Sequence, residues 1–185
     1  MVTGGSGFIG SNLVEYLLEA CPEHYIINVS KHTYAMNPKA LQHLESNSRY
    51  KFAPLDITDE LAFSNLLLTE KVEQIFHLAA ETHVDRSISN PQPFFKSNTL
   101  GTFNLLEATR KANIQTFLHV STDEIYGTAQ KSKSFKESDM LLPSNPYSAS
   151  KGAAEMFVLA YHKTYGLKAI ITRCTNNFGP CQSPE

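Results

Sequence analysis

Apolar residues from Phe8 onward recur every three to four positions, at Phe8, Ile9, Leu13, Val14, Leu17 and Leu18. That period predicts an amphipathic helix to about Glu19, stopping before Pro22. The period then changes. Residues 25–29 form a short β-branched run that reads as a buried parallel strand, so a β-α-β unit of about 30 residues opens the chain. Runs at 50–55, 74–80, 116–121 and 168–173 read as further strands. Between them, a capped helix is expected from Thr58 or Asp59 through Leu68. Another starts at Pro91 and Pro93, which only a first turn tolerates, and carries Phe94, Phe95, Leu100, Phe103, Leu105, Leu106 and Ala108. A third runs from Tyr147 to Tyr165 and ends at Gly166. Asn37-Pro38 reads as a start signal for a helix with Ala40, Leu41 and Leu44, and residues 128–146 as a long loop. Strands and helices alternating in this way predict an α/β fold with a doubly wound parallel sheet.

Composition narrows the classes. A chain of 185 residues can bury one sizeable core, since a domain of this size removes about 70% of its surface from water. One domain, 1–185, is expected. With 42% hydrophobic and 18% charged residues and a net charge of −2, nothing attracts nucleic acid or an anionic membrane. No apolar run is long enough to span a bilayer, and the N-terminus lacks the order of a signal peptide, so a cytoplasmic location is expected. Cys21, Cys174 and Cys181 are odd in number and lack metal spacing, so they read as free thiols. His77 and His83 are six residues apart, which suits neither a helical pair nor a finger, and no metal is expected.

The chemistry starts at Thr3-Gly4-Gly5-Ser6-Gly7-Phe8-Ile9-Gly10. Gly4, Gly7 and Gly10 have the spacing of a strand-to-helix turn whose backbone N–H groups approach a pyrophosphate, with the helix N-terminus adding partial positive charge. Three glycines alone are also a common flexible turn; their place between a strand and a helix is what gives them meaning. Tyr147 and Lys151 lie one turn apart on a helix. A tyrosine hydroxyl loses its proton near pH 10 unless a cation stabilises the phenolate, and Lys151 is placed to do so. Asp123 and Glu124 follow the strand that ends in Ser121-Thr122. Such a pair can be a solvated turn, or can take one proton and give another.

In their order these motifs resemble those of the extended short-chain dehydrogenase/reductase family, within it the dTDP-glucose 4,6-dehydratases. The resemblance runs through Thr3–Ser11, Ala79–Ser87, Ser121–Gly127, Asn145–Lys151 and Thr172–Pro180, and its most discriminating part is Thr122-Asp123-Glu124. It implies a Rossmann-like fold and a redox-neutral dehydration of dTDP-glucose or UDP-glucose to the 4-keto-6-deoxy sugar, with NAD as cofactor and a homodimer as the assembly. It gives catalytic roles to Thr122, Asp123, Glu124, Tyr147 and Lys151. Thr82 and Asn176 would hold the sugar together with Thr122, Asp123 and Glu124. The implied cofactor site comprises Gly4, Gly7, Phe8, Ile9, Gly10, Ser30, Lys31, Thr33, Asp56 and Ile57. It continues through Leu78, Ala79, Ala80, Thr82, Ser97, Tyr147, Lys151 and Asn177. A 4-epimerase of nucleotide sugars and an NAD-binding module without turnover are the alternatives.

Three departures stand against the family pattern. Ser30 replaces an aspartate and Met36 a glycine, which weakens the ribose contact, removes the carboxylate that excludes NADP, and leaves Lys31 as a cation that could receive a 2′-phosphate. The C-terminal substrate-binding part of the family is largely absent after Glu185. Only Met1 and Val2 precede Thr3, fewer than the five or six residues of a common strand. Both ends therefore read as cut, and weak NAD binding and a marginal fold are expected of the segment as written.

Overall fold

A computed structural model of the chain describes all residues except 32, 34–35, 38, 130–133 and 183–185. Six parallel strands form one sheet in the order β3-β2-β1-β4-β5-β6: β1 (Val2–Thr3), β2 (Ile26–Val29), β3 (Tyr50–Ala53), β4 (Gln74–His77), β5 (Thr116–Thr122) and β6 (Ala169–Cys174). This is the Rossmann-like doubly wound order, which reverses direction beside β1, where such sheets bind their ligands. β1 has only two residues, yet it is central: Val2 pairs with Asn28 on one side and Phe76 on the other. The Met1 nitrogen donates to Gln74 O at 2.8 Å.

Side-chain alternation along the strands feeds two cores. Val2 and Ile26 face Val14 and Leu18 of helix α1 (Phe8–Ala20). Ile27, Val29, Ile75 and Phe117 face Phe63 and Leu67 of α2 (Glu60–Thr69), together with Leu105, Leu106 and Val158 from later helices. Each such side chain contributes roughly 1.5–3 kcal/mol of burial. Asp59 caps α2, accepting from Ala62 N at 3.0 Å, where the cap signal placed it. The Asn37 signal instead leads to a 3-10 turn at Gln42–Leu44, and its Pro38 lies outside the described residues. So do 130–133 of the expected long loop. A short helix α3 (Val84–Ser89) was not expected.

The helix begun by the two prolines holds a second difference. α4 (Gln92–Phe94) passes into a π-helical segment, Phe95–Leu100, before α5 (Gly101–Lys111) resumes the regular pitch. Such segments mark places where a side chain has been re-aimed, often at a functional site. Ser97, Asn98 and Thr99 lie in it. Asn98 clasps the backbone after β4, its Oδ1 accepting from Glu81 N at 2.8 Å and its Nδ2 donating to Glu81 O at 2.9 Å. Gly101 lets Ile57 pack close: a Cβ there would come within 2.7 Å of Ile57 Cδ1, so a side chain at this position would have to displace it.

His77 is buried between Thr3 Oγ1 (2.7 Å from Nδ1) and Thr102 Oγ1 (2.9 Å from Nε2). The Thr102 hydroxyl gives its proton to Asn98 O at 2.6 Å, so it accepts from Nε2–H, and Nδ1 accepts from Thr3. The neutral tautomer fills every bond. Burial, with Lys151 nearby, lowers the His77 pKa to about 3, and His119, buried beside it, is also pushed well below its ordinary value. An unfolded chain therefore binds more protons than the folded one below pH 6.5, and stability falls as pH drops from 6.5 toward 3. Urea unfolding at pH 5.0 should show a loss of about 2 kcal/mol from His77 relative to pH 7.5, with His119 adding to it in the same direction. His77→Gln should remove the His77 share of that pH dependence; an unchanged slope would contradict the burial argument.

Candidate functional site

The C-terminal ends of the strands surround one cavity of about 420 Å³. Its floor is the glycine turn. Gly4 has φ +72°, and a Cβ on it would lie 2.7 Å from Ala79 N; a Cβ on Gly10 would lie 2.1 Å from Gly4 O. The first position demands a left-handed backbone and the second demands that helix and turn touch, so neither admits a side chain. Gly7 is the N-cap of α1 and offers no side chain to its first turn. Gly4, Gly7, Phe8, Ile9 and Gly10 all line the cavity, so an anion there meets backbone donors and the positive end of a helix.

Beyond the turn, β2 is followed by Ser30, which lines the cavity with Lys31 and Thr33. Ser30 Oγ accepts from Ser6 N and donates to Asn28 Oδ1, each at 3.1 Å, while Asn28 Nδ2 donates to Ser6 Oγ at 2.9 Å. Lys31 Nζ lies 3.3 Å from Asp56 Oδ2 and donates to Ser97 Oγ at 3.2 Å. For Asp56, burial works toward a higher pKa, but the Thr58 donors and Lys31 outweigh it and the net shift is downward. Ile57, Leu78, Ala79, Ala80 and Thr82 also line the cavity, as do Asn176 and Asn177 after β6.

Another part of the cavity is built by β5 and α6 (Pro146–Tyr165). Asn145 caps α6 in a capping box, accepting from Ser148 N at 2.8 Å, while Ser148 Oγ accepts from Asn145 N at 3.2 Å. That fixes where Tyr147 and Lys151 project. Burial pushes the Tyr147 hydroxyl up to about 12; a hydrogen bond with Thr122 opposes this, and the negative charge of Glu124 reinforces it. Lys151 is buried and donates to Val120 O at 2.6 Å. Burial brings its pKa down to about 8. Lys151 thus rests against the strand.

Asp123 and Glu124 sit in a 3-10 turn, Asp123–Tyr126, that continues β5. Because a 3-10 turn rotates each residue by about a third of a turn, the two carboxyls diverge. Glu124 lines the cavity together with Thr122, Tyr147 and Lys151; Asp123 is not on its wall and accepts from Thr122 Oγ1 at 3.4 Å. Glu124 Oε2 accepts from Asn145 Nδ2 at 3.2 Å, so one asparagine both starts α6 and orients the carboxylate.

Ser6, Ser121, Cys174 and Thr175 also line the cavity and were not anticipated from sequence. Ser121 Oγ is buried and, among the described residues, without a hydrogen-bond partner. Behind the wall, Arg173 of β6 clasps the fully buried Glu155 of α6 through Nε, at 3.1 and 3.2 Å, and through a second nitrogen. It also reaches the Tyr126 hydroxyl and Glu137 O. No group of three or more histidine, cysteine or acidic side chains able to hold a metal occurs among the described residues.

Comparison with known proteins gives this geometry its context. The family model described as GDP-mannose 4,6 dehydratase matches residues 1–185. The chain is 44% identical to the dTDP-glucose 4,6-dehydratase of Haemophilus influenzae, over all of this chain and 57% of that protein. It is 43% identical to the structure of DesIV, a dTDP-glucose 4,6-dehydratase from Streptomyces venezuelae solved with NAD bound, with a TM-score of 0.94 over 99% of this chain and 57% of that one. A UDP-glucose 4-epimerase of Thermus thermophilus, in complex with NAD, is 31% identical with a TM-score of 0.89, covering 100% and 57% of the two chains. The chain spans a little over half the length of each of these three relatives.

Proposed function

This chain belongs to the GDP-mannose 4,6 dehydratase family, within the extended short-chain dehydrogenases/reductases, and on that premise we propose that residues 1–185 are the NAD-binding domain of a nucleotide-glucose 4,6-dehydratase. The substrate proposed is dTDP-glucose or UDP-glucose, and the product its 4-keto-6-deoxy sugar. The single observation that carries this is the convergence of Thr122, Glu124, Tyr147 and Lys151 on the cavity floored by the glycine turn.

The side-chain-free cradle at Gly4 and Gly10 and the orphaned Ser121 hydroxyl fit a dinucleotide. Gly7, Phe8, Ile9 and Gly10 would hold its pyrophosphate, and Ser30, Lys31 and Thr33 its adenosine ribose. Asp56, Ile57, Leu78, Ala79, Ala80, Ser97 and Asn177 would hold the remainder. When bound, NAD supplies an acceptor for the C4 hydride and returns that hydride to C6, so no net oxidation results.

Within this reading Tyr147 takes the C4 hydroxyl proton. A tyrosine pushed to about 12 needs a nearby cation to do this near neutrality, and Lys151, one turn away, is that cation. Thr122 holds the C4 oxygen. The C4 ketone acidifies C5, Glu124 removes the C5 proton, Asp123 protonates the C6 hydroxyl as it leaves as water, and C5 takes a proton back from the Glu124 carboxyl once C6 has been reduced. Thr82 and Asn176 position the sugar. The Asp123 step requires its carboxyl to turn toward the cavity from its contact with Thr122.

The assembly proposed is a homodimer, joined through the exposed apolar side chains of Phe95, Leu100, Met156, Phe157 and Leu159. No helix among the described residues is long and apolar enough to cross a membrane, and the cytoplasm is the compartment proposed. To test the activity, the protein containing this chain is incubated with each nucleotide sugar and the products are weighed by mass spectrometry. Loss of one water is expected. A product of unchanged mass with inverted C4 would replace the dehydratase with the epimerase reading.

A further inference from the structure

At the end of β2 a dinucleotide site normally chooses between cofactors: an acidic side chain there accepts from the ribose 2′-hydroxyl and repels a 2′-phosphate, whereas a basic one nearby accommodates it. In this chain the position is Ser30, whose hydroxyl is buried and engaged with Ser6 N and Asn28 Oδ1. It carries no charge to repel a phosphate. The next residue, Lys31, brings an ammonium to the cavity wall, steadied by Ser97 Oγ at 3.2 Å. The carboxylate beside it, Asp56, already faces that ammonium at 3.3 Å, so its charge is offset. We infer that this chain does not select NAD against NADP: Ser30 removes the charge that would repel an adenosine 2′-phosphate, and Lys31 supplies the cation that receives it. The inference rests on the dinucleotide reading above and goes beyond it in cofactor class.

The physical basis is an exchange. With aspartate at position 30, a 2′-phosphate would meet like charge at short range in a partly dry cavity, which costs far more than it would in water. With serine that repulsion is gone, and Lys31 can share its charge between Asp56 and a phosphate, a pairing strengthened by charge on both partners. Lys31 and Asp56 are each about a third exposed, so solvent moderates both the existing pair and the new one.

Isothermal titration calorimetry of the protein containing this chain with NAD⁺ and with NADP⁺ tests this, using 5′-AMP and adenosine 2′,5′-bisphosphate to isolate the 2′-phosphate. The two dinucleotides should bind with Kd values within tenfold of each other. Ser30→Asp should weaken NADP⁺ by at least a hundredfold relative to NAD⁺, and Lys31→Met should weaken NADP⁺ about tenfold more than NAD⁺. Thermal melts of both variants check that the fold persists. NAD⁺ binding with NADP⁺ more than tenfold weaker would overturn the inference and leave the dinucleotide site standing. Failure of both to bind would overturn the inference and the dinucleotide reading together. Equal effects of Lys31→Met on the two would overturn the role given to Lys31.

Discussion

Glu124→Gln is expected to lower turnover of the nucleotide sugar by roughly 10² to 10⁴-fold, the usual range for a positioned general base. The side chain lines the cavity and is held by Asn145 Nδ2 at 3.2 Å. An amide keeps the size of the carboxylate but cannot accept the C5 proton. Substrate incubated in deuterated water should therefore fail to take up deuterium at C5 in the variant and take it up in the parent. Asn145→Ser separates orientation from fold. Serine is an equally good helix cap, so the melting temperature should change little, but Glu124 loses its donor and kcat should fall with KM nearly unchanged. Deuterium uptake at the parent rate in Glu124→Gln would remove Glu124 from the mechanism.

The largest stability effect is expected at Arg173→Met, a loss of about 3–5 kcal/mol. Glu155 is fully buried, and its carboxylate is clasped by the Arg173 guanidinium through more than one nitrogen. Hydrogen bonding to Glu155, helped by Tyr126, holds the arginine pKa above its ordinary value despite burial. Removing the cation strands a charge in the interior, which costs far more than the pair itself contributes. Arg173→Met with Glu155→Leu should recover most of the loss, because no buried charge remains. Urea unfolding of the two variants measures the difference; equal destabilisation would show that packing, not charge, dominates. Arg173 also reaches Tyr126, at the end of the turn that carries Asp123 and Glu124. The single variant should therefore disturb activity at temperatures where it is still folded.

Periodicity made the sheet and its long helices legible, because each alternation from period 3.6 to period 2 marks a change of element. The glycine turn and the Tyr147 to Lys151 spacing were legible for the same kind of reason: local chemistry demands those residues at those intervals. Helix α3 escaped because six residues hold too few turns to show a stripe, and its cap is His83, an unusual one. The π-helical segment escaped because a shift in backbone hydrogen-bond register leaves no mark in side-chain pattern, although Asn98 depends on it to clasp Glu81. Pairings across the fold were equally hidden. Arg173 and Glu155 are eighteen residues apart, and only the packing of β6 against α6 brings them together. Asn28, a polar residue within an apolar strand, was the one available sign of the network under Ser30. Asp123 shows the converse: its neighbour Glu124 reaches the cavity, but the 3-10 turn carries Asp123 off the wall, which spacing alone could not show.

The central claim is that these residues oxidise C4, eliminate water across C5 and C6, and reduce C6 within one cavity. The most direct measurement follows a deuterium placed at C4 of dTDP-glucose or UDP-glucose through turnover by the protein containing this chain, with the product analysed by mass spectrometry and NMR. The account predicts a 4-keto-6-deoxy sugar that has lost one water and carries the deuterium at C6. A product that has lost no water, or one whose C6 carries only solvent hydrogen, would contradict it.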